Sequence, residues 1–377
     1  MASDKQDKVL NVPTLRFPEF TDKWKECELQ DVASISKGAG ISKDQLSDTG
    51  EPCILYGELY TKYKSEVITD VLSKTNIDTA NLVRSKANDV IIPSSGETAI
   101  DISTARCVPF DNILFGGDLN ILRLREQDGR FFSYQLNGVR KLDIAQIAQG
   151  VSVVHLYGES LKRLIVRFPS ISEQEKISSL LAAIDERITT QNRIIEKLQS
   201  LMKGIAEHLT AFTPNTRIAD CLECHSSTLQ ENQIKKEGVY KVYGANGICG
   251  YNDSPAITND AILIVKDGSG VGNVSFVTGE YSVIGTSNYL TAKFGYSLKY
   301  LYYCLMIFKF DTYKTGMAIP HIYFKDYGKA LIYCPSLEKQ VQIATLLSKI
   351  EYKIEAEIAI TDYYQQQKEF LLQSMFI

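Results

Sequence analysis

The chain has 377 residues, 44% hydrophobic and 23% charged, which is the composition of a globular protein and excludes a disordered one. It contains neither a run of roughly 18 apolar residues nor a signal-peptide core, so we expect a cytoplasmic protein with no membrane span. The net charge of −4 neither indicates nor excludes DNA binding, because a basic face can coexist with acidic residues elsewhere. The eight cysteines are scattered, and in the cytoplasm we expect buried thiols and not disulfides.

The first half of the chain has the pattern of a mixed α/β domain. Residues 1–19 form an N-terminal arm, and the domain follows at residues 20–170, a normal domain size. Two short helices are predicted at 130–139 and 141–149. Short apolar runs between turn residues predict strands at 53–56, 90–92, 113–115, 119–124 and 164–168.

Residues 171–211 carry the pattern of one long spacer helix. Pro169 precedes it, and Ser172 with Glu175 fits a capping box at its start. At about 1.5 Å per residue the helix is on the order of 55 Å long, too long for the core of one domain. Its apolar residues recur at steps of four and three, which is the heptad seam of a helix that packs on a partner helix. The seam consists of Ile177, Leu181, Ile184, Ile188, Ile195, Leu198, Met202, Ile205 and Leu209.

A second domain is predicted at residues 212–336. Its helix lies at 298–308, and a second spacer helix follows at 337–377. The seam of this second helix is poorer, because Glu357, Thr361 and Lys368 interrupt it. Strands are predicted at 239–243, 261–265, 274–277, 289–293 and 331–333.

The two halves repeat each other at a constant offset. The segment GVSVVHLY (150–157) matches GMAIPHIY (316–323), so that His155 corresponds to His321, 166 residues later. The same offset continues from Pro169 and Pro335 into both helices, which indicates an internal repeat. Two imperfect seams can satisfy each other as an antiparallel pair with a pseudo-two-fold axis. We therefore predict that Ile184 and Ile188 lie near Ile350 and Ile354.

Three motifs allow both a structural and a functional interpretation. Cys221, Cys224 and His225 spell a haem-attachment pattern or part of a zinc site, but the more common origin of such a cluster is incidental. The glycine-rich segment 268–272 is either a tight turn or a loop that lets a ligand backbone come close, and Ser94-Ser95-Gly96 is its counterpart in the first half. The two repeated histidines are either structural or functional. A Walker A motif and the Asn-Pro-Pro-aromatic motif of amino-methyltransferases are both missing.

The order of domain, PSISEQEKI helix, domain and PSLEKQVQI helix resembles the specificity subunit of type I restriction–modification enzymes. The opening NVPTLRFPEF before a tryptophan and the segment QGVSVVHLYGESLKRLIVRFPSISEQEKI are also similar to that family. The resemblance implies an α+β fold in which two mixed α/β target recognition domains are joined by two long antiparallel coiled-coil helices. It further implies a non-catalytic subunit that recognises a bipartite, asymmetric DNA site.

The resemblance also implies the partners. Two modification subunits would methylate adenine with S-adenosylmethionine, and restriction subunits would translocate and cut DNA with ATP and Mg²⁺, so that this chain itself needs no cofactor. An alternative is the recognition part of a fused or paired methyltransferase or nuclease of another restriction class. A coiled-coil scaffold without a DNA role is a third possibility.

Basic and aromatic residues that interleave in the loops are the candidate DNA contacts, although a solvated charged face explains each cluster equally well. Basic side chains mostly bind phosphate, whereas Ser, Asn, His and Tyr can reach base edges. In the first domain the candidates are Tyr60, Lys62, Lys64, Ser94, Ser95, Arg106 and His155. In the second domain they are Lys235, Lys236, Tyr240, Lys241, Asn246, Lys266, Ser269, Asn273, Lys314 and His321.

Overall fold

The computed structural model describes residues 12–78, 80–268, 270–316 and 319–377. These residues form two compact units. Unit 1 comprises the described residues up to Gln191 together with Ile360–Ile377, and unit 2 comprises Asn192–Ala359. Each unit therefore contains one globular body and a segment of each long helix.

The strands of unit 1 are short and are separated by turns and small helices. Its described strands are β1 (Lys25–Glu28), β2 (Ala33–Lys37), β3 (Leu46–Ser47), β4 (Glu51–Ile54), β5 (Ser73–Thr75), β6 (Val83–Arg84), β7 (Asp89–Pro93), β8 (Ser95–Gly96), β9 (Arg106–Val108), β10 (Leu114–Phe115), β11 (Leu119–Leu124), β12 (Val154–His155) and β13 (Ile165–Phe168). Its helices are α1 (Leu29–Val32), α2 (Glu58–Thr61), α3 (Ala99–Ile102), α4 (Gly129–Asn137), α5 (Lys141–Ile147) and α6 (Gly158–Lys162), and the long α7 (Ile171–Thr210) begins here.

Unit 2 contains fewer elements in a similar succession. Its described strands are β14 (Thr216–Arg217), β15 (Leu222–Ser226), β16 (Tyr240–Gly244), β17 (Gly247–Asn252), β18 (Ala261–Val265), β19 (Val274–Val277), β20 (Tyr281–Val283), β21 (Ser287–Ala292) and β22 (Leu331–Ile332). Its helices are α8 (Ile218–Cys221), α9 (Leu298–Met306) and α10 (Phe324–Tyr327), followed by the long α11 (Leu337–Ser374).

The sheet topology confirms the internal repeat. In unit 1 the central antiparallel sheet has the order β2-β11-β7-β9, and in unit 2 it has the order β15-β21-β18-β19. In both sheets, neighbouring strands in space are the first, fourth, second and third strands of that sheet in chain order. A second sheet contains the parallel pair β4 and β10 in unit 1 and the parallel pair β16 and β20 in unit 2. The first strand of each unit pairs with its last, β1 with β13 and β14 with β22.

Two glutamines of the long helices hold the globular bodies in the same way. The side chain of Gln174 donates to the carbonyl of Pro169 at 2.9 Å and accepts from the N–H of Asp128, the N-cap of α4, at 3.1 Å. Gln340 donates to Pro335 and accepts from the N–H of Ser297, the N-cap of α9, both at 2.9 Å. Each glutamine thus satisfies a backbone donor where the small helix meets the long one.

A tyrosine and a carboxylate form a second repeated contact. Tyr134 of α4 donates its hydroxyl to Asp185 at 2.7 Å, and Tyr303 of α9 donates to Glu351 at 2.7 Å. Asp185 and Glu351 are separated by the same 166 residues as the two histidines. The repeat therefore extends to the side chains that join each body to its helix.

The long helices run antiparallel within unit 1. Asp185 pairs with Lys368 at 2.6 Å, and Arg187, further along α7, donates to Tyr364, which comes earlier in α11. Ile184 and Ile188 share a hydrophobic cluster with Tyr364 and Leu371. The predicted partners Ile350 and Ile354 are therefore wrong, because residues early in one antiparallel helix face residues late in the other.

The start of α7 also differs from the prediction. The helix begins at Ile171, and the backbone N–H of Gln174 donates to the carbonyl of Ser170 at 3.0 Å. Ser170 is therefore the N-cap, because its carbonyl accepts the first helical hydrogen bond. Ser172 lies inside the first turn, where it cannot form the predicted capping box.

Candidate nucleic-acid interface

The matching histidine segments fold into the same short hairpin in both units. We call residues 149–157 and 315–323 the histidine hairpins, of which 317 and 318 lie outside the described residues. In unit 1 the N–H of His155 donates to the carbonyl of Gln149 at 2.7 Å, and the N–H of Gln149 donates back at 2.9 Å. His321 and Thr315 exchange the same two bonds at the same distances.

A glycine permits the turn of each histidine hairpin. Gly150 has φ +125° and Gly316 has φ +89°, backbone conformations that L side chains rarely adopt. A Cβ atom would also lie 2.1 Å from the carbonyl oxygen of Val153 at the first position and 2.3 Å from that of Ile319 at the second. Any other residue would open the turn, so the glycine is required in both units.

Each histidine hairpin is attached to the loop that follows the second strand of its central sheet. The N–H of Leu156 donates to the carbonyl of Ser94 at 2.9 Å, and the N–H of Ile322 donates to the carbonyl of Lys266 at 3.0 Å. The Ser94-Ser95-Gly96 segment and the glycine-rich 268–272 segment therefore follow equivalent strands, β7 and β18. The structure places both loops against the two sequence-predicted histidines.

The surroundings of the two imidazoles differ. His321 Nδ1 lies 2.5 Å from Asp267 Oδ1, and the two side chains are each about one third exposed. His155 is exposed, and its ring stacks on Tyr157 at 6.1 Å between centroids. His321 stacks on Tyr323 in the equivalent way, with 6.5 Å between the ring centroids. The same scaffold thus presents two different polar surfaces.

Some candidates of unit 1 gather at its histidine hairpin. The hydroxyl of Tyr60 lies 3.8 Å from the position of a Cβ on Gly96, and partial burial raises the pKa of this phenol. Ser94 and Ser95 adjoin the hairpin but are only 4% and 7% exposed, so their hydroxyls are largely covered. Lys64 is exposed and lies on the chain after α2.

Lys62 and Arg106 have structural partners instead. The Lys62 ammonium pairs with Glu58 at 2.6 Å and donates to Ser73 at 3.0 Å. Arg106 is 7% exposed and donates to the carbonyls of Leu59, within α2, and of Tyr63, just after the end of α2. Its guanidinium is occupied in holding this loop, so a phosphate could reach it only after the loop opened.

In unit 2 the structure brings most of the loop candidates together. The N–H of Gly268 donates to the carbonyl of Pro320, which ties the glycine-rich loop to the histidine hairpin. A Cβ on Gly270 would lie 3.2 Å from the side-chain nitrogen of Asn273 and 3.6 Å from the carbonyl oxygen of Ala245, so the loop also meets the turn between β16 and β17. The surface so formed carries Lys266, Asn246, Asn273, Lys314 and His321, while Ser269 lies outside the described residues. Lys314 pairs there with the exposed Asp311 at 2.7 Å.

The remaining candidates of unit 2 lie elsewhere. Tyr240 and Lys241 begin β16, at the opposite end of this hairpin from Asn246. Lys235 pairs with Asp253, and Lys236 is exposed beside it. Sequence reasoning could not separate these two groups, because the separation depends on the β16–β17 hairpin. Its turn, with Asn246, lies near the histidine hairpin, whereas its open end, with Tyr240 and Lys241, does not.

The cysteine–histidine motif does not form one site. Cys221 is fully buried in a cluster with Cys304 and Cys334, whereas His225 on β15 has its Nε2 2.9 Å from Thr291 Oγ1 and its ring on Tyr289. Among the described residues no group of three or more His, Cys, Asp or Glu is placed to hold a metal ion.

Sequence reasoning missed several residues in and beside the histidine hairpins. Asp267 contacts His321, and Tyr157 and Tyr323 stack on the two histidines. The tyrosines could have been found, since they occupy equivalent places in the repeat. Within the described part of the chain, no helix is both long and apolar enough to cross a membrane.

Comparison with known proteins assigns this fold to a family. The family described as "Type I restriction modification DNA specificity domain" matches residues 21–200 and 215–362, one match in each half of the repeat. A curated relative, the type I restriction enzyme EcoprrI specificity subunit of Escherichia coli, is 24% identical over 113 residues. This alignment covers 30% of the present chain and 28% of that protein, well under two thirds of its length.

Solved structures show the same fold. The S subunit of a type I restriction–modification system from M. genitalium has a TM-score of 0.67 at 17% identity, covering 97% of this chain and 99% of that chain. A structure from work on complex assembly and conformational transition of the type I R-M system has a TM-score of 0.54 at 14% identity, covering 94% and 97%. The family matches span most of the sequence and both repeats, and the chain belongs to the type I restriction–modification DNA specificity family.

Proposed function

We propose that this chain is the DNA specificity subunit of a type I restriction–modification complex and that it recognises a bipartite, asymmetric DNA site. Residues 20–170 and 212–336 are the two proposed target recognition domains, and residues 171–211 and 337–377 are the spacer helices. The observation that carries the proposal is one scaffold, built twice, with different side chains on the equivalent surface. Two such surfaces suit a site with two different halves.

The proposed contacts divide by chemistry. Lys64 in unit 1 and Lys266 and Lys314 in unit 2 would bind phosphates and fix the position of each domain on the duplex. His155 and His321, with Asn246 and other polar groups of the loops, would reach base edges in the major groove. Asp267 would orient the His321 imidazole through its contact with Nδ1, which leaves Nε2 free for a base.

The partners follow from the same proposal. Two modification subunits would supply adenine methylation with S-adenosylmethionine, and restriction subunits would supply ATP- and Mg²⁺-dependent translocation and cleavage. The present chain would act in the cytoplasm, bind none of these cofactors itself and carry no catalytic group. Its contribution would be to bind the correct DNA sequence and to hold the modification subunits there.

Domain exchange tests the proposal most directly. Residues 20–170 are replaced by the corresponding domain of another family member, the complex is formed with its modification subunits, and methylated adenines are mapped across a genome. We expect one half of the methylated site to change and the other to stay. Exchange of residues 212–336 is the matched control and should change only the other half.

Two outcomes would contradict the proposal. One is a site in which both halves change together, or neither does, after a single exchange. The other is methyl transfer from S-adenosylmethionine by the purified chain without partner subunits, which would favour a fused or self-sufficient methyltransferase.

A further inference from the structure

Each histidine hairpin presents an exposed apolar side chain beside its histidine. In unit 1 Val151 is 97% exposed and Val153 is 53% exposed, and in unit 2 Ile319 is 58% exposed. Val153 and Ile319 are equivalent in the repeat, 166 residues apart. An isolated exposed apolar residue is ordinary, but β-branched residues exposed at the same position of a repeated turn suggest a shared use.

Alternation along the hairpin places these residues on one face. Val153, His155 and Tyr157 are exposed, while Val154 and Leu156 between them are buried. In unit 2 Ile322 is likewise buried between His321 and the exposed Tyr323. Successive side chains of an extended segment point to opposite sides. An apolar group, an imidazole and a phenol therefore follow each other on one exposed face in both units.

The hairpin holds this face in a fixed geometry. Val154 and Leu156 anchor it in the core of unit 1, and the turn is closed by the reciprocal backbone bonds of Gln149 and His155. Gly150 fixes the turn directly before the apolar residues. A pre-organised face loses little conformational entropy on binding, which favours specific contact.

An exposed valine or isoleucine can recognise only one group in the major groove of DNA. It cannot bind phosphate or form hydrogen bonds with base edges, and the apolar group that distinguishes one base pair from another is the C5-methyl of thymine. The adjacent imidazole can bond a neighbouring base edge at the same time. Resting on the proposed function, we propose that Val153 and Ile319 each contact a thymine methyl group and thereby help to specify one half of the DNA site.

The family match favours DNA as the occupant over a protein partner, because it describes a DNA specificity domain. In unit 2 Lys314, which pairs with Asp311 at 2.7 Å, directly precedes the hairpin, and the carbonyl of Lys266 is bonded to the hairpin backbone. In unit 1 the hairpin lies against the Ser94–Ser95 segment, whose hydroxyls are largely covered, and near the hydroxyl of Tyr60. Polar groups around a small apolar centre suit a duplex, with its phosphates outside and its thymine methyls in the groove.

The test removes the methyl group from the DNA. The recognition site is first mapped by adenine methylation, and duplexes are made in which each thymine of the site is replaced singly by deoxyuridine. Affinity of the complete methyltransferase complex is measured by fluorescence anisotropy at fixed salt. We expect one thymine in each half whose replacement weakens binding about four-fold, the effect of one buried methyl group.

Serine variants assign each methyl group to its residue. Val153→Ser should abolish the sensitivity to deoxyuridine in one half and Ile319→Ser in the other, whereas Val153→Ile should retain it. Leu72→Ser and Phe294→Ser remove exposed apolar side chains elsewhere in the two units and should leave both sensitivities unchanged.

Three results would overturn the inference. The first is a site in which no replacement of thymine by deoxyuridine weakens binding. The second is a Val153→Ser variant that keeps full sensitivity to deoxyuridine. The third is a pair of serine variants that lose modification subunits, while the complexes that still form keep wild-type affinity for DNA and sensitivity to deoxyuridine. The last would make the face a protein contact. Failure of the proposed function looks different, because then the wild-type complex would neither bind nor methylate any defined sequence.

Discussion

Replacing Lys368 by methionine should destabilise unit 1 strongly. Lys368 is 13% exposed and pairs with two buried carboxylates, Asp185 at 2.6 Å and Glu66. Asp185 also accepts the hydroxyl of Tyr134 at 2.7 Å. Burial disfavours the charged ammonium, but Glu66 and Asp185 outweigh it and raise the pKa of Lys368. Methionine would keep the side-chain volume and leave both carboxylates without their cation.

The expected loss follows from the burial of the carboxylates. Removing one partner of a buried ion pair costs about 3–5 kcal/mol, because the remaining charge stays desolvated. An exposed pair is worth at most about 1 kcal/mol. Lys162→Met breaks the exposed pair of Lys162 with Glu159, whose side chain is 82% exposed, and serves as the matched control in the same unit.

The loss should also depend on pH. Burial raises the pKa of Asp185 in the folded chain. A carboxyl group with a raised folded pKa contributes stability below its unfolded pKa, and that stability is lost as the pH rises through the folded pKa. Removing the ammonium raises this pKa further. The deficit of Lys368→Met should therefore be largest near about pH 7 and shrink toward about pH 5, as Asp185 takes up a proton.

The single tryptophan provides the assay. Trp24 is 2% exposed in the core of unit 1, where it contacts Phe131 and Phe376, so its fluorescence during urea unfolding reports on this unit. A Lys368→Met variant within about 1 kcal/mol of wild type would refute the reasoning. So would a deficit that does not change with pH. Replacing Glu66 and Asp185 by their amides in the same variant should recover much of the stability.

Further predictions concern the glutamine contacts, the thiols and Lys241, an exposed candidate phosphate contact that lies away from the histidine hairpin. Gln174→Ala should lower the free energy of unfolding of unit 1 by about 1–3 kcal/mol, because a buried N–H loses its acceptor. Gln340→Ala should leave the tryptophan fluorescence transition unchanged. Equal effects of the two variants would contradict the assignment of each glutamine to its own unit. Iodoacetamide at about pH 8 should modify the exposed Cys249 and spare Cys107 until unfolding, since burial raises the pKa of the Cys107 thiol to about 12. Mass spectrometry of peptides measures the extent of alkylation at both cysteines. Lys241→Ala should weaken binding to all sequences alike and reduce the salt dependence by about one counterion, whereas loss of binding to one sequence alone would assign it to base recognition.

The elements that the sequence predicted best are those with strong periodicity or an internal copy. The long helices were predicted from apolar spacing together with the proline before each helix and the internal repeat, and the structure places them at Ile171–Thr210 and Leu337–Ser374. The repeat found at a constant offset corresponds to one sheet topology built twice. Helical periodicity is a local property of the sequence, and a repeat is found by comparing the sequence with itself. Neither prediction therefore required knowledge of tertiary contacts.

Buried polar groups could not be predicted, because their partners lie far away in sequence. Lys368 interrupts the seam of α11 and looks like a defect, yet it pairs with Glu66, 302 residues earlier. Arg106 looks like a DNA contact, yet it is buried under backbone carbonyls of Leu59 and Tyr63. In both cases the charge alone suggested exposure, and tertiary structure decided otherwise.

The repeated contacts explain how two bodies with different sequences keep one scaffold. Gln174 and Gln340 bind backbone carbonyls and N–H groups, which every sequence provides, so these joints place few demands on the side chains of the body. The histidine hairpins are likewise closed by backbone bonds and anchored by buried residues, Val154 and Leu156 in unit 1 and Ile322 in unit 2. Their outward faces contribute little to stability and are free to differ, as the exposed His155 and the Asp267-bound His321 do. A fold that separates its supporting contacts from its exposed face in this way can change the sequence it recognises without rebuilding its core.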